Sequence, residues 1–198
     1  MVDAEAVTNL EKTMQLNSTL RILFLTNGCL VVGVTAVTPI YALFAEAIGA
    51  SVFEVGVLAA VLFFGKTIGL TIMALWGDVA VHKARLYIWG FALQTAAWLL
   101  LVLADDLWLL YVVQILIGLS YALSVPAFRM LVATHLDHGH ELYDYSTWEM
   151  ILAFTSMVGG LLGGLVVAQT GFTELFLGLG IAGIVLTSTT WWLRDQID

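Results

Sequence analysis

Six long apolar runs decide which folds are open to this chain. They cover residues 22–44, 52–76, 86–104, 108–132, 150–168 and 172–193. A helix of about 20 mostly apolar residues crosses the hydrocarbon core of a bilayer. Because lipid offers the backbone no hydrogen-bonding partner, each run is predicted to be a transmembrane α-helix. The alternation over about ten residues that marks a membrane β-strand is not visible in the sequence.

The composition also indicates an integral membrane protein. Of 198 residues, 61% are hydrophobic and 11% are charged, whereas soluble domains have about 45–50% apolar and about 25% charged residues. A soluble fold of this length could not bury so much apolar surface, so the expected surroundings are a lipid bilayer. The net charge of −8 argues against a nucleic-acid partner. The single cysteine, Cys29, excludes an internal disulfide.

The basic residues predict how the bundle is oriented. The turns after the first, third and fifth runs contain no lysine or arginine. The basic residues of the opposite side are Lys12, Arg21, Lys83, Arg85, Arg129 and Arg194. The positive-inside rule therefore places both termini in the cytoplasm. The predicted organisation is a cytoplasmic lead over 1–20, a six-helix bundle over 21–194 and a cytoplasmic tail over 195–198, in the cell membrane.

The first three runs and the last three echo one another. Pro39 lies late in the first run and Pro126 late in the fourth. Glycines recur in the second and fifth runs at Gly65, Gly69, Gly159, Gly160, Gly163 and Gly164. Three helices followed by three of inverted topology is a common transporter arrangement. Since proline and glycine are frequent in membrane helices generally, chance accounts for the echo equally well.

Lys66 places a charged group near the middle of the second run. A lysine at that depth costs about 2.5–3.5 kcal/mol to insert. Ala59 and Gly69 share its helical stripe, so this side is expected to face protein or a water-filled cavity. No carboxylate lies in the middle of any run, which favours a bound anion or water as the partner. The alternative is a structural lysine, neutralised by helix-end carbonyls or by a carboxylate elsewhere in the bundle.

Other polar positions within the runs are weaker candidates for binding a solute. They are Asn27, Thr38, Gln94, Gln114 and Tyr121. Hydrogen bonding between helices is the commoner use of such residues, so both interpretations stay open. The glycines of "TSMVGGLLGG" are predicted to provide close helix packing, because small residues four apart let helix backbones approach.

Several motifs resemble the N-terminal six-helix half of a major facilitator superfamily transporter, over about residues 20–193. In "ALWGDVAVHKAR", Asp78 matches the family's loop aspartate, and Lys83 and Arg85 supply its basic charge. In "QILIGLSYALSVPAF", Gly118 and Pro126 match the family pattern, with Gln114 where an arginine is usual. The glycines of "GGLLGG" match the spacing of the family's fifth-helix motif.

The resemblance implies both a fold and an activity. The fold would be an all-α bundle of six transmembrane helices, arranged as three-plus-three inverted repeats. The activity would be that of a half-size secondary transporter of small solutes, working by alternating access as a homodimer or with a second six-helix half. Asp78, Lys83 and Arg85 would form a gating loop, and Pro39, Gly118, Pro126 and the fifth-run glycines would allow packing and flexing. Lys66 predicts an anionic solute.

Two alternatives to a half-size transporter stay open. The chain would be a non-transporting membrane subunit or scaffold derived from such a half, or a truncated half. An enzyme is not predicted, because the serine of "GLSYA" has no histidine within a run to activate it and no phosphate-binding glycine loop is present. The histidines of "THLDHGHE" are expected to be a solvated loop, so neither a metal site nor a cofactor is predicted.

Overall fold

The computed structural model describes residues 18–76, 82–136 and 141–197, and the regular structure of this part of the chain is entirely helical. In chain order the helices are α1 (Ser18–Val37), α2 (Tyr41–Ala47), α3 (Val52–Trp76), α4 (Lys83–Leu101), α5 (Leu107–His135), α6 (Glu141–Gln169), α7 (Phe172–Trp192) and α8 (Arg194–Ile197). The prediction of an all-α membrane protein is confirmed.

Five helices of the described residues are long and apolar enough to cross a membrane, rather than the predicted six. They are α1, α3, α5, α6 and α7. The remaining predicted span, 86–104, corresponds to α4, which is 19 residues long. Its first turn holds Lys83 and Arg85 and its middle holds Gln94 and Thr95, and these polar residues lower its apolar character.

Two prolines that look equivalent in the sequence have different effects. The predicted span 22–44 is not one continuous helix, because α1 ends at Val37 and α2 begins at Tyr41 after a turn that contains Pro39. Proline lacks a backbone N–H and disfavours the helical conformation of the residue before it. Pro126, by contrast, lies inside α5 without ending it.

Helices α5 and α6 extend beyond their predicted spans. Asp106 caps α5 by accepting a hydrogen bond from the Leu109 N–H at 2.9 Å, and the helix continues to His135. Helix α6 begins at Glu141 rather than near residue 150, with acidic residues in its first turn, where they complement the helix dipole. Much of the predicted polar loop is therefore helical. His138 and His140 lie outside the described residues.

A tight connection joins α2 to α3. Gly49 has a φ of 97°, in the left-handed region that glycine adopts without strain. The Ser51 N–H then donates to the Glu54 carboxylate at 2.7 Å, and the Glu54 N–H lies 3.3 Å from the Ser51 hydroxyl. This reciprocal capping box starts α3 immediately after α2 has ended.

Helix α5 is the centre of the bundle. It packs against α3 on one side and α4 on the other, while α1 packs against α6 and α4 against α7. Rings of several helices meet in the core beside it. Trp148, expected at a membrane boundary, is buried between Phe24 and Phe128, with ring centroids 5.3 and 4.8 Å away. The early start of α6 carries it inward.

Glycines bring two pairs of helices into close contact. A Cβ on Gly118 of α5 would overlap the backbone of α3 near Leu62 and Lys66. On α6, a Cβ on Gly159 would overlap Val32, and one on Gly163 would overlap Ala36. Their predicted packing partners Gly160 and Gly164 meet nothing within 4 Å in the described structure, because a rotation of about 100° per residue turns them away from α1.

Candidate functional site

A cavity of about 280 Å³, which we call the central cavity, lies between the first five helices. It has room for about nine water molecules at about 30 Å³ each. Five of the six predicted solute-binding residues line it, contributed by three different helices and the turn after α1. They are Thr38, Lys66, Gln94, Gln114 and Tyr121. Residues that are far apart in the sequence therefore meet around one cavity.

Lys66 is half-buried in the wall that α3 contributes. Its Nζ lies 5.7 Å from the centre of the Tyr121 ring, within range of a cation–π interaction. Within residues 18–76, 82–136 and 141–197, no carboxylate forms an ion pair with it. Gly118 gives α5 its close approach to the Lys66 backbone, so the lysine and the polar residues of α5 share one wall. Among the described residues, the ammonium at the cavity wall therefore has the Tyr121 ring as its one recorded partner.

Gln114 is the most strongly buried polar group of this wall that lacks a partner. Its side chain is 4% exposed, and its Oε1 makes no hydrogen bond in the described structure. The hydroxyl of Tyr41 lies near the Gln114 side chain and is likewise buried without a well-aligned hydrogen bond there. An unsatisfied buried polar atom costs about 1–3 kcal/mol. A bound solute or water molecule that offers hydrogen bonds would remove this penalty.

Gln94 and Thr38 already have partners inside the protein. The Ser120 hydroxyl is shared between the Gly90 carbonyl at 2.8 Å and Gln94 Oε1 at 3.2 Å. The Thr38 hydroxyl donates to the Val34 carbonyl at 2.8 Å. Among the predicted residues that line the cavity, Lys66 and Gln114 therefore differ from Gln94 and Thr38 in having a polar atom with no hydrogen bond within the described residues.

Asn27 is not part of the central cavity. It lines a separate space of about 450 Å³ between α1, α5 and α6, together with Arg129 and Glu149. Asn27 and Thr38 lie on one stripe of the sequence, but eleven residues of helix separate them by about 16 Å along the axis. The stripe predicted to face a single site is therefore divided between two spaces.

Two of the predicted gating residues, Lys83 and Arg85, line neither space. Lys83 is the first residue of α4, and Arg85 is exposed in the same first turn. Asp78 lies outside the described residues, so its predicted role stays a prediction.

Trp98 lines the central cavity but is absent from the predicted set. It is 2% exposed. The sequence did contain a signal for it, because the other six tryptophans lie near predicted span boundaries and Trp98 alone lies in the middle of a run. Tyr41 of α2 also lines the cavity, beyond the turn that contains Pro39.

Comparison with known proteins identifies the family. The chain is 28% identical over 146 residues to the proton-coupled antiporter flippase LtaA of Staphylococcus saprophyticus, covering 71% of this chain and 35% of the relative. It is 32% identical over 77 residues to LtaA of Staphylococcus haemolyticus, covering 39% of this chain and 19% of that protein. The chain thus spans about a third of the longer-matched relative. The sequence model of the Major Facilitator Superfamily matches residues 23–197, and the chain belongs to this family.

Proposed function

We propose that this chain forms one six-helix half of a secondary transporter and that it moves small anionic solutes by alternating access. In this proposal α4 is the third membrane span, the two sets of three spans are inverted repeats, and both termini are cytoplasmic. The helix pairing supports the repeat. In such a repeat α1 corresponds to α5, and α3 corresponds to α6. The α1–α6 contact then corresponds to the α5–α3 contact, and both contacts are extensive.

One observation carries the transport role. Lys66 and Gln114 line one cavity of a membrane protein and supply a cation and a buried acceptor that has no hydrogen bond within the described residues. Ionisable residues within spans are expensive and usually mark a substrate or ion pathway. An anion that also donates a hydrogen bond, such as a hydroxylated carboxylate or a protonated phosphate, would satisfy both groups. A purely structural lysine would instead be expected to have a carboxylate or carbonyl partner.

The proposal requires a second six-helix half to complete the pathway. Helices α3 and α6 are the least buried spans. In an 18-residue apolar stretch of each helix, 17% of the residues of α3 and 11% of those of α6 are buried, against 50% in α1 and 44% in α5. The exposed face of α3 carries Phe53, Phe63 and Phe64. Because six spans return the chain to its starting side, a second copy inserts in the same orientation, and a parallel two-fold homodimer is one way to cover these helices. Association with a different six-helix half is the other way to cover them.

A lipid is the second substrate class that we consider. Both staphylococcal relatives are named as flippases, and a flippase moves a lipid between leaflets. The anionic group at Lys66 would then be a lipid headgroup. We do not extend the relatives' proton coupling to this chain, because the middle of its described spans holds no carboxylate.

Uptake into proteoliposomes tests the transport role. Labelled lactate, phosphate and glycerol phosphate are compared with neutral glycerol, and wild-type protein is expected to accumulate at least one anion. Lys66→Met should reduce that uptake about tenfold or more, since a charge-assisted hydrogen bond contributes about 1.5–3 kcal/mol. The matched control is Thr67→Val on the same helix, because the Thr67 hydroxyl is exposed and bonds only to the Phe63 carbonyl of its own helix.

Two results would contradict the proposal. Unchanged uptake and unchanged anion preference in Lys66→Met would remove Lys66 from the site. No uptake of any solute, together with no anion that raises the unfolding temperature of the purified protein, would favour the scaffold alternative, since selective binding stabilises the folded state. Cross-linking in native membranes would distinguish a homodimer from a monomer or a mixed pair.

A further inference from the structure

A second space lies on the other side of Trp98, and we call it the lateral cleft. It measures about 420 Å³, opens between α1, α4 and α7, and is lined by Cys29, Gly33, Trp98, Leu179, Gly183 and Leu186 with their neighbours. The adjacent hydroxyl of Thr189 donates to the Val185 carbonyl of its own helix at 2.8 Å. The cleft therefore presents aliphatic and aromatic carbon with little free hydrogen-bonding capacity, which suits an alkyl chain and not a polar solute.

Trp98 belongs to the walls of both the central cavity and the lateral cleft. The far edge of its indole ring rests on Gly33 of α1, where an added Cβ would lie 2.5 Å from Cη2. At this point the two spaces are separated by one ring packed on bare backbone. Within the described residues the indole N–H makes no hydrogen bond, so turning the ring would break only van der Waals contacts.

The two spaces differ in charge, although apolar side chains line most of both. The central cavity holds the Lys66 ammonium and the unpaired Oε1 of Gln114, whereas the lateral cleft is apolar and lies between helices surrounded by lipid. A cavity that holds a cation and a neighbouring uncharged cleft, with Trp98 in the walls of both, match a ligand with a charged head and a hydrocarbon chain. A small hydrophilic anion would use the first space and leave the second to membrane lipid.

We propose that the central cavity and the lateral cleft form one site for a single-chain anionic amphiphile, whose head binds at Lys66 and Gln114 and whose alkyl chain passes Trp98 into the cleft. This inference rests on the transport role proposed above and specifies its substrate class. Each part of the ligand contributes separately. The head gains charge-assisted hydrogen bonds, and the chain gains about 0.8 kcal/mol per methylene that leaves water.

Cys29 provides a probe of the cleft, because it is the only cysteine of the chain and is exposed there. A nitroxide spin label on Cys29, in nanodiscs of a zwitterionic lipid, reports mobility and accessibility by electron paramagnetic resonance. Dodecyl phosphate is expected to immobilise the label, while ethyl phosphate has no effect because it lacks the chain. Dodecanol should require about tenfold more ligand, since it lacks the charge that Lys66 binds.

Two variants test whether head and chain bind together. Lys66→Gln should raise the half-saturating concentration of dodecyl phosphate about tenfold, to that of dodecanol. Trp98→Ala should join the two spaces, so that a water-soluble relaxation agent reaches the label. Trp98→Phe, which keeps a ring in place and preserves packing, should have a smaller effect. Leu99→Ala is the matched control, because Leu99 packs against Gly180 of α7 and lines neither space.

The inference is overturned if dodecyl phosphate and dodecanol act on the label at the same concentration, or if Lys66→Gln leaves the dodecyl phosphate response unchanged. Lys66-dependent uptake of a small anion with no response of the label to dodecyl phosphate rejects the amphiphile site and leaves the transport role standing. A Lys66-dependent response of the label without uptake of any solute supports the site and rejects the transport role.

Discussion

The α3–α5 contact and the α1–α6 contact use the same packing device in different chemical settings. Glycine allows close approach in both, at Gly118 in the first pair and at Gly159 and Gly163 in the second. In the second pair, the hydroxyls of Thr35 and Thr155 bond to carbonyls of their own helices, each at 2.7 Å. In the first pair, Lys66 and Gln114 face a cavity without such partners.

This comparison separates packing from function. Glycine at four-residue spacing accounts for the proximity of the helices in both pairs, and such contacts are general in membrane bundles. The polar groups are satisfied in one pair and left available in the other. If the two sets of three spans are repeats, the α3–α5 and α1–α6 contacts are equivalent and pack in the same way. In the proposed function, the α3–α5 contact in addition borders the binding site.

The largest change in stability is expected from a substitution that disrupts the α1–α6 contact. Gly163→Val should destabilise the protein by about 3 kcal/mol, because its side chain would overlap the α1 backbone at Ala36 and overpacking typically costs about 1–3 kcal/mol. Gly164→Val, on the same helix but facing open space, should change stability by less than about 0.5 kcal/mol. Unfolding in mixed micelles measures both. Equal effects would show that α6 does not pack on α1 through this face.

A smaller effect is expected at the α3–α5 contact. Gly118→Ala should cost about 2 kcal/mol, since the added methyl group meets α3 backbone at Leu62 and Lys66 and cannot be accommodated by a side-chain shift. It should also weaken anion binding, because α5 moves away from Lys66. Gly56→Ala controls for the change in helix propensity, as nothing lies within 4 Å of that position. Stability loss with unchanged anion binding would disconnect this contact from the cavity.

The smallest changes in stability are expected at the two glutamines of the cavity, where only one of the two substitutions by leucine should be destabilising. Gln114→Leu should leave stability unchanged or raise it by about 1 kcal/mol, because it removes an unsatisfied buried acceptor. Gln94→Leu should lower stability by about 1 kcal/mol, because it removes the acceptor of the Ser120 hydrogen bond. Thermal unfolding with and without anion measures both changes. A stability loss in Gln114→Leu would assign that residue a structural role.

Much of the architecture was predictable because lipid constrains a sequence strongly. Long apolar runs are expected to be helices. A lysine inside one of them is costly and is expected to face protein or a water-filled cavity. The convergence of Lys66, Gln114 and Tyr121 was therefore expected from chemistry and from helical stripes. Asn27 lines a different space from the other candidates, because a stripe gives the angle of a residue around the helix and says little about which neighbours it meets along the axis.

Other features depended on tertiary context that the sequence does not express locally. Pro39 interrupts its helix and Pro126 does not, although both lie late in an apolar run. Trp148 is buried because α6 begins early, and Gly164 faces away from the helix on which Gly163 packs. The polar residues of α4 also bond within the bundle, as Gln94 does with Ser120. A hydrophobicity pattern alone therefore underestimates how deeply that helix is buried among the other helices.

The capping box between α2 and α3 limits how the site can change shape. Tyr41 and Lys66 lie on the two helices that this connection joins, and within it Gly49 turns the chain while the N–H groups of Ser51 and Glu54 are both bonded. These two helices would therefore travel as a rigid lever. Opening toward either compartment would have to come from displacement of the lever relative to α5 or to a neighbouring bundle.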